Sequence, residues 1–522
     1  MAINQIRNAG DCQRWLASHP IGADNALLPV AELANLLVRV ADGDFSPTVG
    51  FRILELLRQR IVANAQPLFS QARRAPAPHF NRFSAQLRKL DQCLEALTCS
   101  YRALHPAMEF APRPRLSFIP GASNSLKNTM PLLRALEIQS NRICGRLLCR
   151  VVVDDDLWVD LASLGRQVRE TTFLDEIFEA SAASGVKITA RALITYPLLM
   201  HVAGYSERTP AQGQWVEFLA RTNADKTGFR IEPAGKASEN PYGPSMILGR
   251  QYQVRLDTHR LLSGLARTKD EITADKARMN AVQDRNCSLS VSEISALNDD
   301  LRIRWSAAWR WPNMQLVNYP KTRIAFGLPT SISTTTKAYE YARYEQQHTV
   351  ATIDREVAAP TQAFTSQAES ACVTGIDQER VVFERYANKP APAINTLVAL
   401  DMIPNPAFGT SGLRLGRVRR VEHILNGTDG QTGQRVAVQT LRGDPLAVRL
   451  CGSQPGEAYF LGSEYGSRRE ASVFISPDTI RSGCRVRFEL PAGDISVEVG
   501  HLIERGPGYD RYQVTACGAS TI

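Results

Sequence analysis

Four arginines lie close together in segment 412–424, which reads GLRLGRVRRVEHI: Arg414, Arg417, Arg419 and Arg420. Glu422 is the one acidic residue of this segment. Guanidinium groups bind phosphate oxygens through paired hydrogen bonds, so cations at this density favour a bound anion. Arg417 and Arg419 are predicted to share one strand face and to hold a phosphate. The alternative is an exposed strand edge, where charge discourages aggregation; it accounts better for Arg414 and Arg420 than for Arg417.

A β-hairpin is predicted to position these arginines. Apolar and polar residues alternate in 412–424 and again in 434–441. The loop between them contains Asn426-Gly427, Asp429-Gly430 and Gly433. Asn and Gly reach the positive φ angles at which a chain reverses direction, so the two segments are expected to pair as antiparallel strands.

Strand patterns continue through the C-terminal part of the chain. Each is rich in Val, Ile, Phe or Tyr and is bounded by Gly, Pro, Asn or Asp. The predicted strands are 323–328, 371–376, 380–386, 396–402, 412–424, 434–441, 446–451, 458–462, 471–475, 484–490, 494–504 and 510–516. So many strands exceed one small barrel and fit two six-stranded barrels, divided near 443–446.

The first half of the chain is predicted to be helical, because apolar residues recur at three- and four-residue steps. Ser46-Pro47 is a typical helix start. The predicted helices are 46–62, 79–104, 126–150, 156–169, 188–203, 211–222, 264–284 and 290–308. A further helix is predicted after Thr172, because Asp175 and Glu176 would lie in its first turn.

These patterns predict an α+β multidomain protein. An N-terminal all-α helical domain is expected over residues 1–312, with a small β-prone excursion near 223–262. Small β-barrels are expected over residues 313–443 and 444–522. Three tryptophans lie just before the first boundary, at Trp305, Trp309 and Trp311, and are predicted to seal the helical domain.

The predicted hairpin resembles the last strand pair of PilZ-type barrels, bacterial domains that often bind cyclic di-GMP. The matching residues are LGRVRRV at 415–421 and RVAVQTLRGDPLAVRL at 435–450. The tract 133–168 is similar, more loosely, to the helical N-terminal region of large bacterial proteins that carry such a barrel. The resemblance implies a PilZ-like first barrel with cyclic di-GMP as its candidate ligand and no other cofactor.

Ligand-binding PilZ domains carry an R-x-x-x-R motif at the start of the barrel, where the arginines grip phosphate and stack on guanine. The corresponding segment here is NYPKTRIAFGLPT at 318–330. It supplies Lys321 and Arg323, but no arginine pair at the spacing of the motif. The resemblance therefore implies a phosphate site that lacks its two strongest contacts.

A second PilZ motif, D/N-x-S-x-x-G, follows on the next strand and contacts guanine. Its counterparts here are Ser370, Cys372 and Gly375. The glycine is kept, but serine replaces the acid or amide and cysteine replaces the serine. A thiol is a poor hydrogen-bond donor, so the guanine contacts would be weak. Arg417 and Arg419 complete the candidate nucleotide-binding residues, as a substitute phosphate clamp.

Catalytic and metal-binding patterns are missing from the sequence. The eight histidines lie far apart, and the ten cysteines lack the two-residue spacing of zinc or redox motifs. The acidic run 154–156 precedes a helical pattern and is predicted to start that helix rather than to bind a metal. We therefore expect a protein that is not an enzyme and has no metal site.

The composition is typical of a soluble globular protein, with 44% hydrophobic and 22% charged residues among 522. The net charge of +9 suits an anionic partner. No apolar run is long enough to span a bilayer, and the N-terminus lacks a signal-peptide pattern. Scattered cysteines fit a reducing compartment. A cytoplasmic protein without membrane insertion is expected.

Several functions fit these observations. In the first, a cytosolic regulatory protein senses cyclic di-GMP through its PilZ-like barrel and passes the signal to a protein partner. In the second, the barrel has lost the nucleotide and the chain is an interaction scaffold. An RNA-binding protein is the third, and it is disfavoured because segment 412–424 contains no aromatic residue to stack on bases.

Overall fold

The chain divides into two compact units, Met1–Pro312 and Asn313–Ile522. Helices dominate the first unit and β-strands the second. The computed structural model describes residues 3–18, 30–75, 81–109, 122–171, 173–181, 186–234, 242–248, 251–283, 287–307, 315–333, 368–376, 379–386, 390–401, 413–424, 433–441, 445–451, 456–461, 471–490 and 493–517.

The helices of the first unit begin where local chemistry favours a start. α3 begins at Pro47, directly after Ser46. Capping boxes start α8, from Thr209 and Gln212, and α11, from Ser290 and Glu293. The helices are α1 (Ala9–Ala17), α2 (Val30–Ala41), α3 (Pro47–Arg74), α4 (Asn81–Glu109), α5 (Ala122–Leu148), α6 (Asp155–Arg169), α7 (Ala190–Val202), α8 (Pro210–Asn223), α9 (His259–Gly264), α10 (Lys269–Gln283) and α11 (Val291–Arg304).

A strand pair stands where the sequence predicts a helix after Thr172, so that prediction is wrong. Residue 172 itself lies outside the described residues. The chain then forms β1 (Ile177–Ser181), which pairs antiparallel with β2 (Val186–Thr189). Asp175 does not serve a helix dipole; its carboxylate accepts a hydrogen bond of 2.6 Å from Arg191 Nε at the start of α7. The pairing of β1 with β2 and the ion pair of Asp175 with Arg191 thus stand where a helix start was predicted.

A small sheet forms in the segment predicted as a β-prone excursion. It contains β3 (Gly228–Pro233), β4 (Ser245–Leu248) and β5 (Tyr252–Asp257), in the order β3-β5-β4 with antiparallel pairing. Among the three clustered tryptophans, Trp309 and Trp311 lie outside the described residues. Trp305 is fully buried, and its indole N–H donates to the main-chain oxygen of Leu199 at 3.1 Å.

The second unit consists of two closed six-stranded barrels, which confirms the predicted fold class. The first barrel has the order β10-β11-β8-β7-β6-β9 and the second the order β12-β13-β14-β17-β16-β15. Their strands are β6 (Gln315–Phe326), β7 (Glu369–Ile376), β8 (Arg380–Tyr386), β9 (Leu397–Asp401), β10 (Leu413–Ile424), β11 (Gly433–Thr440), β12 (Pro445–Cys451), β13 (Gly456–Leu461), β14 (Ser472–Ile475), β15 (Arg485–Leu490), β16 (Gly493–Gly506) and β17 (Tyr509–Ala516).

Strand alternation fills each barrel with apolar side chains. In β11, Val436 and Val438 are buried inside the first barrel, while Ala437 between them is half-buried. β10 and β11 pair from Gly416↔Thr440 to Ile424↔Gly433, so the predicted hairpin is confirmed. Its connecting loop, residues 425–432, lies outside the described residues.

An apolar layer joins the two barrels and is called the junction here. The first barrel contributes Ala325, Leu328, Ile332, Leu397, Ala399, Leu415 and Leu441, and the second contributes Tyr459, Leu461, Phe474 and Tyr509. All of these are buried. The two barrels therefore share one core layer between their outer faces.

Buried charges hold α4 to α5 in the helical unit. Asp91 accepts a hydrogen bond of 3.1 Å from Arg142 Nε and one of 2.7 Å from Arg146 Nη2. Arg146 also donates to Asp154 at 2.6 Å, so the side chain of Asp154, at the start of α6, binds an arginine rather than capping the helix. Asp91, Arg142 and Arg146 are all nearly inaccessible to water. A buried charge whose partner is removed is strongly destabilising.

We expect Asp91→Asn to lower the free energy of unfolding of the helical unit by about 3–5 kcal/mol, because two buried guanidiniums lose their shared counter-ion. Urea unfolding of the full chain, followed by far-ultraviolet circular dichroism, measures this change. Glu95→Gln is the matched control: Glu95 binds the same Arg142 at 3.3 Å but is 61% exposed. It should cost about 1 kcal/mol or less. Equal effects of the two variants would contradict the assignment.

Acid should weaken the helical unit through the same group. Burial by itself would raise the pKa of Asp91, but Arg142 and Arg146 outweigh it and lower the pKa below its ordinary value. A carboxyl whose pKa is lower in the folded state stabilises the fold above its unfolded pKa of about 3.9, and this contribution disappears as the pH falls through the folded pKa. The stability of Asp91→Asn should therefore depend less on pH below about 4 than that of the original chain.

Candidate anion-binding site at the junction of the barrels

Candidate residues taken from the PilZ motifs lie on the outside of the first barrel. Arg323 of β6 is directly opposite Ser370 of β7, so the structure brings these two residues together. Cys372 lies two residues farther along β7. Ala371 and Val373 belong to the barrel core, so the alternating Ser370 and Cys372 face outward.

The two remaining motif residues are Lys321 and Gly375. The backbone of Lys321 lies in β6, and its side chain is outside the described part of the protein. Gly375 is buried and follows a register shift between Val373 and Gly375.

Arg417 and Arg419 lie on β10, across the barrel from β7. The strand order puts two strands between β10 and β7 in either direction around the barrel. Outward side chains on opposite walls of a closed barrel cannot contact one small ligand. The sequence-predicted residues therefore form two separate groups, with Ser370 and Cys372 in one group and Arg417 and Arg419 in the other.

The interpretation of the arginine-rich strand as an edge is wrong, because β10 pairs with β9 on one side and β11 on the other. A register shift between Val418 and Arg420 places Arg419 in a β-bulge. The bulge lets Val418 and Val421 both enter the core although they are three residues apart. Simple alternation from Arg417 to Arg419 is therefore interrupted, and each arginine has its own surroundings.

A close approach of two strands explains the glycine before Arg417. A Cβ atom on Gly416 would lie 2.3 Å from Cγ1 of Val438 and 2.9 Å from the main-chain oxygen of Gln439. Only glycine allows β10 and β11 to lie this close here. The adjacent Arg417 is thereby held at the margin of the junction, next to Leu415 of the apolar layer.

Arg417 forms an ion pair with a residue of the second barrel. Its Nη1 donates to Oε2 of Glu504 on β16. The other carboxylate oxygen, Oε1, lies 2.9 Å from the hydroxyl of Tyr509. That hydroxyl is also 3.2 Å from the main-chain oxygen of Asn395 in the first barrel. Burial and then Glu504 raise the pKa of Tyr509, so the hydroxyl stays protonated and donates to these oxygens.

Two further arginines complete what we call the junction cluster: Arg417, Arg419, Arg511, Glu504, Tyr509 and Asn395. Arg511 lies opposite Glu504, with Nη1 4.0 Å from Oε2, and its guanidinium stacks 5.1 Å above the ring of Phe474. Arg419 donates to Oδ1 of Asn395 at 3.0 Å. Asn395 has a φ of 65°, a left-handed conformation that Asn tolerates better than most residues.

The junction cluster, as defined by its six residues, contains three guanidiniums and one carboxylate. Burial lowers the pKa of Arg511; Glu504 opposes this shift and Arg417 adds to it. This pattern arises when cations are close together in surroundings with little water. The cluster has the chemistry of an anion site: forked donors for phosphate oxygens, a hydroxyl donor and a flat guanidinium face for a base.

Four of the six residues of this cluster, Asn395, Glu504, Tyr509 and Arg511, are not among the sequence-predicted site residues. Glu504, Tyr509 and Arg511 come from the second barrel, whereas attention to the arginine-rich strand and the PilZ motifs favoured the first. A signal does exist, because Gly506-Pro507-Gly508 is a turn that places residue 504 opposite residue 511 on paired strands. The sequence does not show that this hairpin meets β10.

An R-x-x-x-R spacing also occurs in the second barrel, at Arg481 and Arg485. Both residues are exposed, at the turn that leads into β15. Gly483 in this turn has a φ of 84°. On the neighbouring strand, Glu498 lies opposite Arg485. Arg481 and Arg485 are therefore a second place where a phosphate could bind. Unlike the junction cluster, both arginines are exposed.

Over the described ranges, no three His, Cys, Asp or Glu side chains are arranged to hold a metal ion. The same part of the chain contains no helix of sufficient length and apolarity to cross a membrane.

The junction cluster should show energetic coupling between the barrels. We expect Tyr509→Phe and Arg417→Gln each to lower the free energy of unfolding of the second unit by about 1–3 kcal/mol. Because both side chains bind Glu504, their effects should not add, and the double variant should differ from the sum by about 0.5 kcal/mol or more. Denaturant unfolding of the four proteins measures this coupling.

Tyr512→Phe is the control for this cycle. The hydroxyl of Tyr512 donates to the main-chain oxygen of Ile480 at 3.1 Å, within the second barrel. Its effect should add to that of Arg417→Gln, since the two residues share no partner. Equal coupling of Arg417 to Tyr509 and to Tyr512 would show that the junction cluster is not an energetic unit.

Comparison with known families gives one match. Residues 10–233 match the family model described as the N-terminal domain of the cyclic-di-GMP receptor FimW. The matched part runs from α1 to the end of β3 and includes neither barrel. No curated protein and no solved structure matches the chain significantly.

Proposed function

We propose that this chain is a cytoplasmic regulatory receptor for cyclic di-GMP. The observation that carries the proposal is the match of residues 10–233 to the N-terminal domain of a cyclic-di-GMP receptor. Two features of the second unit support the proposal. It forms two small barrels, and the sequence of β10 and β11 resembles the last strand pair of PilZ-type barrels. A receptor role needs binding and relay rather than catalysis, so the chain is proposed not to be an enzyme.

The junction cluster is the proposed ligand site. Cyclic di-GMP carries two phosphodiester anions and two guanine bases. Its phosphates complement Arg417 and Arg511, which lie on different barrels and contact the same carboxylate. Arg419 lies beside them on β10 and offers a flat face on which guanine can stack. The PilZ-motif residues Arg323, Ser370 and Cys372 remain candidates for a separate site on the outer wall, as do Lys321 and Gly375.

Signal relay follows from the position of this site between two barrels. A ligand that contacts both barrels favours the relative arrangement in which it binds best. The exposed surface around the junction then changes, and a protein partner that recognises one arrangement gains or loses affinity. We propose such a partner, and we expect no role for nucleic acid.

A scaffold without nucleotide is the second candidate function, and two observations favour it. The first barrel has no arginine pair at the motif position, and Cys372 replaces the motif serine. A scaffold would form the same complex with its partner in the presence and absence of cyclic di-GMP. Pull-down from the native host with and without the nucleotide separates this function from a receptor.

Calorimetric titration of the full chain with cyclic di-GMP tests the receptor function. Arg417→Ala should weaken binding about 10- to 100-fold, because it removes a charged hydrogen-bond donor worth about 1.5–3 kcal/mol. Arg449→Ala is the matched control: Arg449 is exposed on β12 and lies opposite Glu457 and Glu489. It removes the same net charge and should leave the affinity within about twofold.

A double variant, Arg481→Ala with Arg485→Ala, tests the other arginine pair. Loss of binding in this variant and not in Arg417→Ala would move the ligand to the turn before β15. An absence of heat at micromolar protein would rule out the receptor function and leave the scaffold. Tight binding of RNA that weakens steeply with salt would instead support the disfavoured nucleic-acid function.

A further inference from the structure

We propose that Glu504 is a built-in competitor of the ligand, whose carboxylate occupies the place that a ligand phosphate takes. Cyclic di-GMP would then bind by displacing an internal anion. This inference rests on the proposed function, since it concerns the same site. It explains why the proposed anion site contains a carboxylate, that of Glu504.

The contacts of Glu504 are those that a phosphate would make. Oε2 accepts from Arg417 and lies 4.0 Å from Nη1 of Arg511, while Oε1 accepts from Tyr509 at 2.9 Å. Two guanidiniums and a hydroxyl are thus gathered around one carboxylate. Carboxylates and phosphates both accept forked hydrogen bonds from arginine, so one anion can replace the other without rearranging the donors.

The strand that carries Glu504 is built so that this side chain can leave. Register shifts interrupt β16 between Val499 and Leu502 and again between Leu502 and Glu504. Bulges of this kind re-aim side chains and are common beside functional sites. Leu502 is 39% exposed and Ile503 is 41% exposed, so the residues just before Glu504 are not packed into the barrel core. Movement of this segment would leave the core intact.

Displacement also selects the class of ligand. A ligand with one weakly held anion gains little when it replaces a carboxylate that is already bound. A cyclic dinucleotide gains more, because it carries a second phosphate and two bases that make contacts beyond those of one carboxylate. The internal carboxylate therefore raises the ligand concentration needed for binding, and it does so most for ligands with a single anionic group.

Glu504→Gln tests the inference by the sign of its effect. The amide keeps the size of the side chain and removes its charge, so cyclic di-GMP should bind about tenfold more tightly, equal to about 1.4 kcal/mol. A residue that merely positions Arg417 would give the opposite result, a weaker complex. Glu457→Gln is the control: Glu457 lies on β13 of the same barrel, opposite Arg449, and is exposed. The affinity of this control variant for cyclic di-GMP should stay within about twofold of that of the original chain.

Thermal unfolding shows whether each variant is folded, and a second variant provides an additional test of the inference. Glu504→Asp keeps the charge but shortens the side chain by one methylene, so it should compete less well and also raise the affinity. Unchanged or weaker binding in both folded variants would overturn the inference. Binding by Glu504→Gln alone, with none by the original chain, would support both the site and the competition.

Inorganic pyrophosphate separates failure of the inference from failure of the proposed function. If no protein binds cyclic di-GMP, the receptor function fails. Tighter pyrophosphate binding by Glu504→Gln than by the original chain would still establish that Glu504 competes for an anion site. Equal or undetectable pyrophosphate binding by both would overturn the competitor role, whatever the natural ligand is.

Discussion

A buried apolar layer between two barrels constrains every charge at its margin. Side chains such as Leu415 and Tyr459 exclude water from the contact, and a charge that loses water must find a partner. Arg417 lies at this margin and finds Glu504 of the other barrel. The hydroxyl of Tyr509 spans the same boundary, toward Glu504 and Asn395. The junction cluster is therefore a consequence of burying the layer beside it.

The same constraint makes the proposed site a property of the pair of barrels. Arg417 and Arg419 come from the first barrel, and Arg511 and Glu504 from the second. The first barrel supplies two of the three guanidiniums and no internal anion, and the second supplies the anion and only one guanidinium. A ligand that enters such a site must act on the contact between the barrels, which is why binding and relay are proposed to be one event rather than two.

The helical unit uses buried charge in a different way. Its ion pairs lie inside one compact unit; those of Asp91 with Arg142 and Arg146 connect the consecutive helices α4 and α5. This is the unit in which the match to a cyclic-di-GMP receptor domain lies. The match assigns a family likeness to the helices, whereas the chemistry suited to an anion is found in the barrels.

Local pattern was sufficient to predict most elements of this protein. Alternation and turn residues predicted the strands of both barrels, and helical periodicity predicted most helices. Both predictions work because an element that is buried on one face has apolar residues at the period of that element. The segment after residue 172 was mistaken for a helix, since Asp175 serves Arg191 and not a helix start. Such a partner is distant in sequence, and no local pattern reveals it.

The sequence by itself determined the strands, the hairpin of β10 and β11 and the crowding of arginine on one of them. Only the tertiary structure decided what those arginines face. Closure of the barrel put β10 and β7 on opposite walls and so separated Arg417 from Ser370. Packing of the second barrel then brought Glu504, Tyr509 and Arg511 to the first. Which walls meet depends on the three-dimensional closure of the sheets, and a pattern of period two carries no record of it.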